Sequence, residues 1–143
     1  MSNVTRFLLA NKIKTENLKY VASKSFVDEE GNPLEWEIRK VTAEEDDALR
    51  ADCTKRVAVN VKRGQYRDDF DADKYIAKLC VACTVEPNLN VAELQDSYGV
   101  KTPESLLRRM LDSGEYTEYK SIVLTHNGFD VGMDDKVEEA KNL

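Results

Sequence analysis

Leu34, Trp36 and Ile38 alternate with Glu35, Glu37 and Arg39, so the apolar side chains fall on one face of a strand. Just before them, Asp28-Glu29-Glu30-Gly31-Asn32-Pro33 is dense in turn residues. Gly31 and Asn32 tolerate positive φ, and Pro33 stiffens the exit. Residues 19–27 and 34–41 are therefore predicted to pair as a hairpin. The period then changes. Thr42 followed three residues later by Glu45 is a capping box, which satisfies free N–H groups at a helix start. Acids fill positions 44–47, and Lys55 and Arg56 supply bases further on, the charge order that a helix dipole favours. A helix to about residue 57 is expected, with Leu49, Cys53 and Val57 on a sparse apolar face.

Residues 57–67 read as a basic connection containing Gly64. Asp71 then opens a helix with Ala72, Ile76, Leu79, Cys80 and Cys83 along one side, the strongest amphipathic signal in the chain. Pro87 and Asn88 end it. Asn90 with Glu93 is expected to cap a short helix carrying Val91, Leu94 and Tyr98, closed by Gly99. Thr102-Pro103 starts another, lined by Leu106, Leu107, Met110 and Leu111. Gly114 separates that helix from a last one bearing Tyr116, Tyr119, Ile122, Val123 and His126, with Asn127-Gly128 as its C-cap. At the N-terminus, Val4, Phe7 and Leu8 fit one face of a short helix, with Leu9 beside them. The predicted fold is α+β, mostly α: an N-terminal β-hairpin packed on a bundle of about five helices. A single domain over residues 1–143 is expected. It comprises an N-terminal helix and connection (1–17), a core (18–129) and an acidic tail (130–143).

Composition narrows the function classes. The chain has 143 residues, enough for one core, and 34% of them are charged. A net charge of −6 makes nucleic acid an unfavourable default partner. The longest apolar runs fall well short of the roughly 20 residues that span a bilayer. The start lacks the apolar core and cleavage site of a signal peptide. Three cysteines, an odd number, suit a reducing compartment, so a cytoplasmic location is expected.

Candidate chemistry is sparse. Cys80 and Cys83 form a CxxC that Cys53 and His126 could complete as a zinc set. Both thiols fall on the apolar face of a predicted helix, however, where cysteine packs as a small hydrophobe. His126, the only histidine, falls in the last turn of a helix, where a cation helps the dipole. No catalytic, cofactor-binding or metal-ligating residue is assigned, and no enzyme activity is expected. Lys55, Arg56, Lys62, Arg63 and Arg67, with Tyr66 among them, could follow a nucleic-acid backbone. That alternative is a small helical nucleic-acid-binding regulator using the basic connection 55–67. Acids flank the stretch on both sides, which favours local ion pairing instead. For partner binding the candidates are Phe7, Leu8, Leu9, Tyr116 and Tyr119. The polar run 11–17 separates the first three from the core, leaving the N-terminal helix to dock in cis or on a partner.

The chain resembles the XkdN-like tail assembly chaperones of phages and phage-derived elements. The likeness rests on EWEIRKVTAEE (35–45), CTKRV (53–57), KRGQY (62–66), KYIAKLCVACTV (74–85), LQDSYGV (94–100), SGEY (113–116) and NGF (127–129), in this order and spacing. The resemblance implies a soluble cytoplasmic chaperone for the tape-measure protein, the long apolar helical protein that sets tail length, with the tail-tube protein as a second partner. It transfers no catalytic residue and implies no cofactor. Such chaperones are commonly made in two forms through a backward ribosomal frameshift, and Ala140-Lys141-Asn142 is compatible with a slippery heptanucleotide of the A AAA AAC type.

Overall fold

In the computed structural model, which describes residues 3–129, strand pairing forms at the predicted hairpin, over a shorter span. β1 (Leu18–Tyr20) pairs antiparallel with β2 (Trp36–Ile38), Leu18 opposite Ile38 and Tyr20 opposite Trp36. A bridge between Val27 and Pro33 closes the intervening loop. The Asp28 carboxylate accepts from the N–H groups of Glu30 and Asn32, each at 2.9 Å, and Gly31 takes φ +86°. Glycine meets that angle without a Cβ penalty. Trp36 and Ile38 are buried. Leu34, expected on the same face, lies ahead of the strand and is 44% exposed. Alternation fixes a face only while the chain stays extended.

Three corrections to the predicted elements follow. α2 (Ala43–Asp52) has its predicted capping box, with Glu45 N donating to Thr42 Oγ1 at 3.2 Å, but it ends five residues early. Residues 54–70 form a ribbon instead of a helix end and a connection: β3 (Thr54–Asn60) pairs antiparallel with β4 (Gln65–Phe70). Val57, Val59 and Val61 explain the switch. They alternate, and β-branched side chains lose rotamer freedom in a helix while suiting a pleated strand. Gly64, at φ +64°, turns the ribbon back. Finally, β5 (Thr84–Glu86) pairs with the other edge of β2, making the sheet three-stranded in the order β1-β2-β5. The fold is thus mixed α/β, with two small antiparallel sheets and six helices among the described residues.

The remaining helices begin close to their sequence signals. α3 (Ala72–Cys83) is capped by the Asp71 carboxylate, which accepts from Lys74 N at 3.1 Å. α4 (Ala92–Ser97) has no side-chain cap; Asn88 Oδ1 accepts from Asn90 N at 3.0 Å in the preceding turn, so Asn90 is not the cap. α5 (Pro103–Met110) starts at Thr102-Pro103 as predicted. α6 (Ser113–His126) takes Gly114 into its first turn, because Glu115 Oε1 accepts from Asp112 N at 2.9 Å and fixes the start one residue earlier.

One core cluster joins these elements. Ile38, Leu79, Leu106, Leu107, Tyr119 and Val123 are fully buried in it, together with Cys80 and Cys83. Burying a large apolar side chain stabilises by about 1.5–3 kcal/mol. Aromatic geometry orients the sheet on α6: the Trp36 and Tyr119 rings meet edge-to-face at 5.4 Å. The acidic segment 130–143, with its Ala140-Lys141-Asn142 sequence, lies outside the described residues.

Candidate partner-binding surface

Among the described residues, the N-terminal arm holds the most exposed large apolar side chains. α1 (Asn3–Arg6) is a single turn, and a 3-10 turn (Leu9–Asn11) follows it. A helix this short cannot sustain itself, since nucleation costs more than one or two hydrogen bonds return. The local fold depends on Asn11, whose Nδ2 donates to the Thr5 carbonyl at 2.7 Å. Phe7, Leu9 and Ile13 are 87%, 86% and 89% exposed, and Val4 and Leu8 are exposed as well. Ile13 belongs to the surface although it falls within a stretch that reads as polar; a lone isoleucine between two lysines was its only signal. The arm borders a groove of about 900 Å³, shared with residues 40–43 at the start of α2.

The two tyrosines of the predicted set behave differently from the arm. Tyr119 is fully buried, which removes it from any partner surface. Its ring fills the core beneath Trp36. Thr84 Oγ1 donates to the Cys80 carbonyl at 2.6 Å and so accepts from the Tyr119 hydroxyl, also at 2.6 Å. Tyr116 is half-buried against the core, with the Lys120 ammonium over its ring at 4.8 Å. The structure therefore brings Phe7, Leu8 and Leu9 together and leaves the tyrosines apart from them.

A polar clasp holds the base of the arm's groove. Arg39 donates to Glu45 through both terminal nitrogens, at 3.3 and 2.8 Å, and through Nε to the Ala82 carbonyl at 2.9 Å. Arg39, and then the Thr42 N–H, hold the Glu45 carboxyl down to about 2. Asn127 joins from α6: its Oδ1 accepts from Val41 N at 2.9 Å, and its Nδ2 donates to the Val123 carbonyl. The ends of β2, α3 and α6 and the start of α2, four elements in all, are thereby tied at one point.

The cysteines are parts of the interior, and the histidine is half-buried. Cys53, Cys80 and Cys83 are buried, and burial pushes the Cys80 thiol up to about 12. A thiol in that state is a poor nucleophile and a poor ligand. Cys83 Sγ accepts from Asn127 Nδ2 at 3.4 Å. His126 ends α6, but burial, with Lys40 nearby, lowers its pKa. The expected cation at that helix end is thus disfavoured.

The basic stretch 55–67 lies on the β3–β4 ribbon. Lys55 stands opposite Asp69 and Arg56 opposite Asp68. The Arg56 guanidinium covers the Tyr66 ring at 4.4 Å, so the aromatic that could stack a base is already stacked by its own chain. At the foot of the ribbon, Arg50 lies over the Tyr75 ring at 4.4 Å and donates to Asp46 Oδ2 at 3.0 Å. The ribbon is therefore anchored at one end and solvated along its length.

The family model of the Phage XkdN-like tail assembly chaperone protein matches residues 4–141. The chain belongs to this family. It is 31% identical over 138 residues to the phage-like element PBSX protein XkdN of Bacillus subtilis, covering 95% of this chain and 91% of that one. It is 33% identical to the uncharacterized protein YqbN of the same organism, with the same coverage. The crystal structure of the protein YqbN superimposes with a TM-score of 0.77 at 26% identity, covering 91% of this chain and 99% of that one. Tail assembly, a non-catalytic role, is thus the family's business, and it implies phage tail proteins as partners. No described helix is long and apolar enough to cross a membrane.

Proposed function

We propose that this tail assembly chaperone binds apolar helical segments of the tape-measure protein through its N-terminal arm, keeping them soluble in the host cytoplasm until tail-tube subunits replace it. The observation that carries this reading is the exposure of Phe7, Leu8, Leu9 and Ile13 on one short arm. Large apolar side chains grouped on a surface mark interaction sites, and an amphipathic helix is the partner that such anchors suit. The short arm gives the contact adaptability, and a small interface exchanges readily. A net charge of −6 keeps the complex in solution. No turnover is involved, and the helical core acts as the scaffold.

Co-expression tests the reading. The tape-measure protein is produced with the full-length chaperone or with its Phe7→Ser/Leu9→Ser variant, and soluble yield and co-purification are measured. Both substituted residues are exposed, so the variant retains its fold. The expected result is a several-fold rise in soluble tape-measure protein with the wild type and little rise with the variant. Equal yields with and without the chaperone would reject the reading.

A further inference from the structure

A second apolar feature lies at the opposite end of β2 from the arm. Leu34, Trp36, Pro87, Leu94 and Met110 wall a cleft of about 270 Å³, enough for one or two large side chains. Two charged residues line it, Glu35 and Glu86; both are exposed, and both are acids. The arm has the opposite chemistry. Around Phe7 and Leu9 it carries Arg6, Lys12 and Lys14, against the single acid Glu16. Within one chain the arm runs beside residues 40–43, beyond the far end of β2, whereas the cleft opens at Trp36. An apolar segment flanked by bases and an apolar cleft flanked by carboxylates thus occur on the same molecule, at separate places.

We propose that the arm of one copy docks in the cleft of a second copy, Phe7 or Leu9 entering between Leu34 and Met110 and the arm's bases meeting Glu35 and Glu86. The two patches differ, so the contact is head-to-tail: each docked pair keeps one free arm and one free cleft. Association then continues beyond two copies or closes as a ring. The contact is small and partly electrostatic, which makes it reversible and salt-sensitive. This inference shares the arm with the client reading, so the two contacts compete for it; Glu35→Lys/Glu86→Lys, which alters the cleft alone, tests self-association without touching the client contact. Loss of tape-measure binding with self-association intact would count against the client reading alone.

Sedimentation equilibrium on the full-length chain tests it, over a wide concentration range and at low and high salt. The variants are Phe7→Ser/Leu9→Ser, Glu35→Lys/Glu86→Lys, and the latter combined with Arg6→Glu/Lys12→Glu. Every substituted side chain is exposed, and circular dichroism checks that each variant is folded. The wild type should show an average mass that rises with concentration and passes two copies. The first two variants should associate about tenfold more weakly, equivalent to roughly 1.4 kcal/mol, and the combined charge reversal should restore association. Mixed isotopically light and heavy copies, treated with a carboxyl-to-amine coupling reagent, should give cross-links from Lys12 or Lys14 to Glu35 or Glu86 between the two labels. A monomer at every concentration would overturn the proposal, as would association that ignores these substitutions. Cross-links confined to one label would place the arm in its own cleft and overturn it equally.

Discussion

Glu45→Gln isolates the charge in the clasp that ties β2, α2 and the end of α3. The substitution keeps the shape of the side chain and leaves an oxygen for the Thr42 N–H, which donates to Glu45 Oε1 at 3.0 Å. It removes the carboxylate that Arg39 holds with two nitrogens. The carboxyl is lowered from 4.5 to about 2, first by Arg39 and then by Thr42. At about 1.36 kcal/mol per unit, such a shift would nominally exceed 3 kcal/mol. The Glu45 side chain is 42% exposed, however, and solvent screening reduces this to about 1 kcal/mol. Because the folded pKa lies below the unfolded one, the contribution is fully present above about 4.5 and is lost as pH falls towards about 2. Urea unfolding followed by the fluorescence of Trp36, the single tryptophan and a buried one, reads the effect directly. At pH 7 the variant should be less stable by about 1 kcal/mol and melt about 3 °C lower. The gap should shrink below pH 4.5, to less than half by about pH 3. A gap of constant size from pH 7 to pH 3, or none at pH 7, would refute the electrostatic account.

Tyr119→Phe removes the hydroxyl that meets Thr84 while keeping the ring under Trp36, and should cost about 1 kcal/mol in denaturant unfolding with tape-measure binding unchanged. Cys83→Ala should cost on the order of 1 kcal/mol through lost packing, with the zinc content of the purified protein, by elemental analysis, the same as that of the wild type. Binding to duplex DNA should be weak at low salt and disappear near physiological salt, as read by fluorescence anisotropy, because Lys55 and Arg56 stand opposite acids and Tyr66 is covered.

Much of the fold was legible where local chemistry is unambiguous. The Thr42–Glu45 box, the Asp71 cap and the Thr102-Pro103 start are all formed, since each depends on atoms within three residues. The ribbon was obscured because a helix-type charge order runs up to Arg56, while the strand signal is three valines alternating with Ala58 and Asn60 between two pairs of bases. Only tertiary contacts, Arg50 against Tyr75 and the Asp71 N–H donating to the Cys53 carbonyl at 2.8 Å, fix where α2 must end. β5 was hidden for a similar reason: three residues have no period, and their strand state comes from the partner β2. At the candidate surface, Phe7, Leu8 and Leu9 were visible because the polar run 11–17 cuts them off from the core. Tyr119 was misplaced because α6 is apolar around much of its circumference, and its own sequence does not show which face meets Trp36.

The central claim, that the arm is what the chaperone lays on its client, is tested most directly by affinity. A labelled apolar helical segment of the tape-measure protein is titrated with purified chaperone and with the Phe7→Ser/Leu9→Ser variant, and anisotropy is measured. The account predicts saturable binding by the wild type and affinity at least about tenfold weaker for the variant, two large apolar anchors being worth more than 1 kcal/mol each. Equal affinity for the two proteins would contradict it.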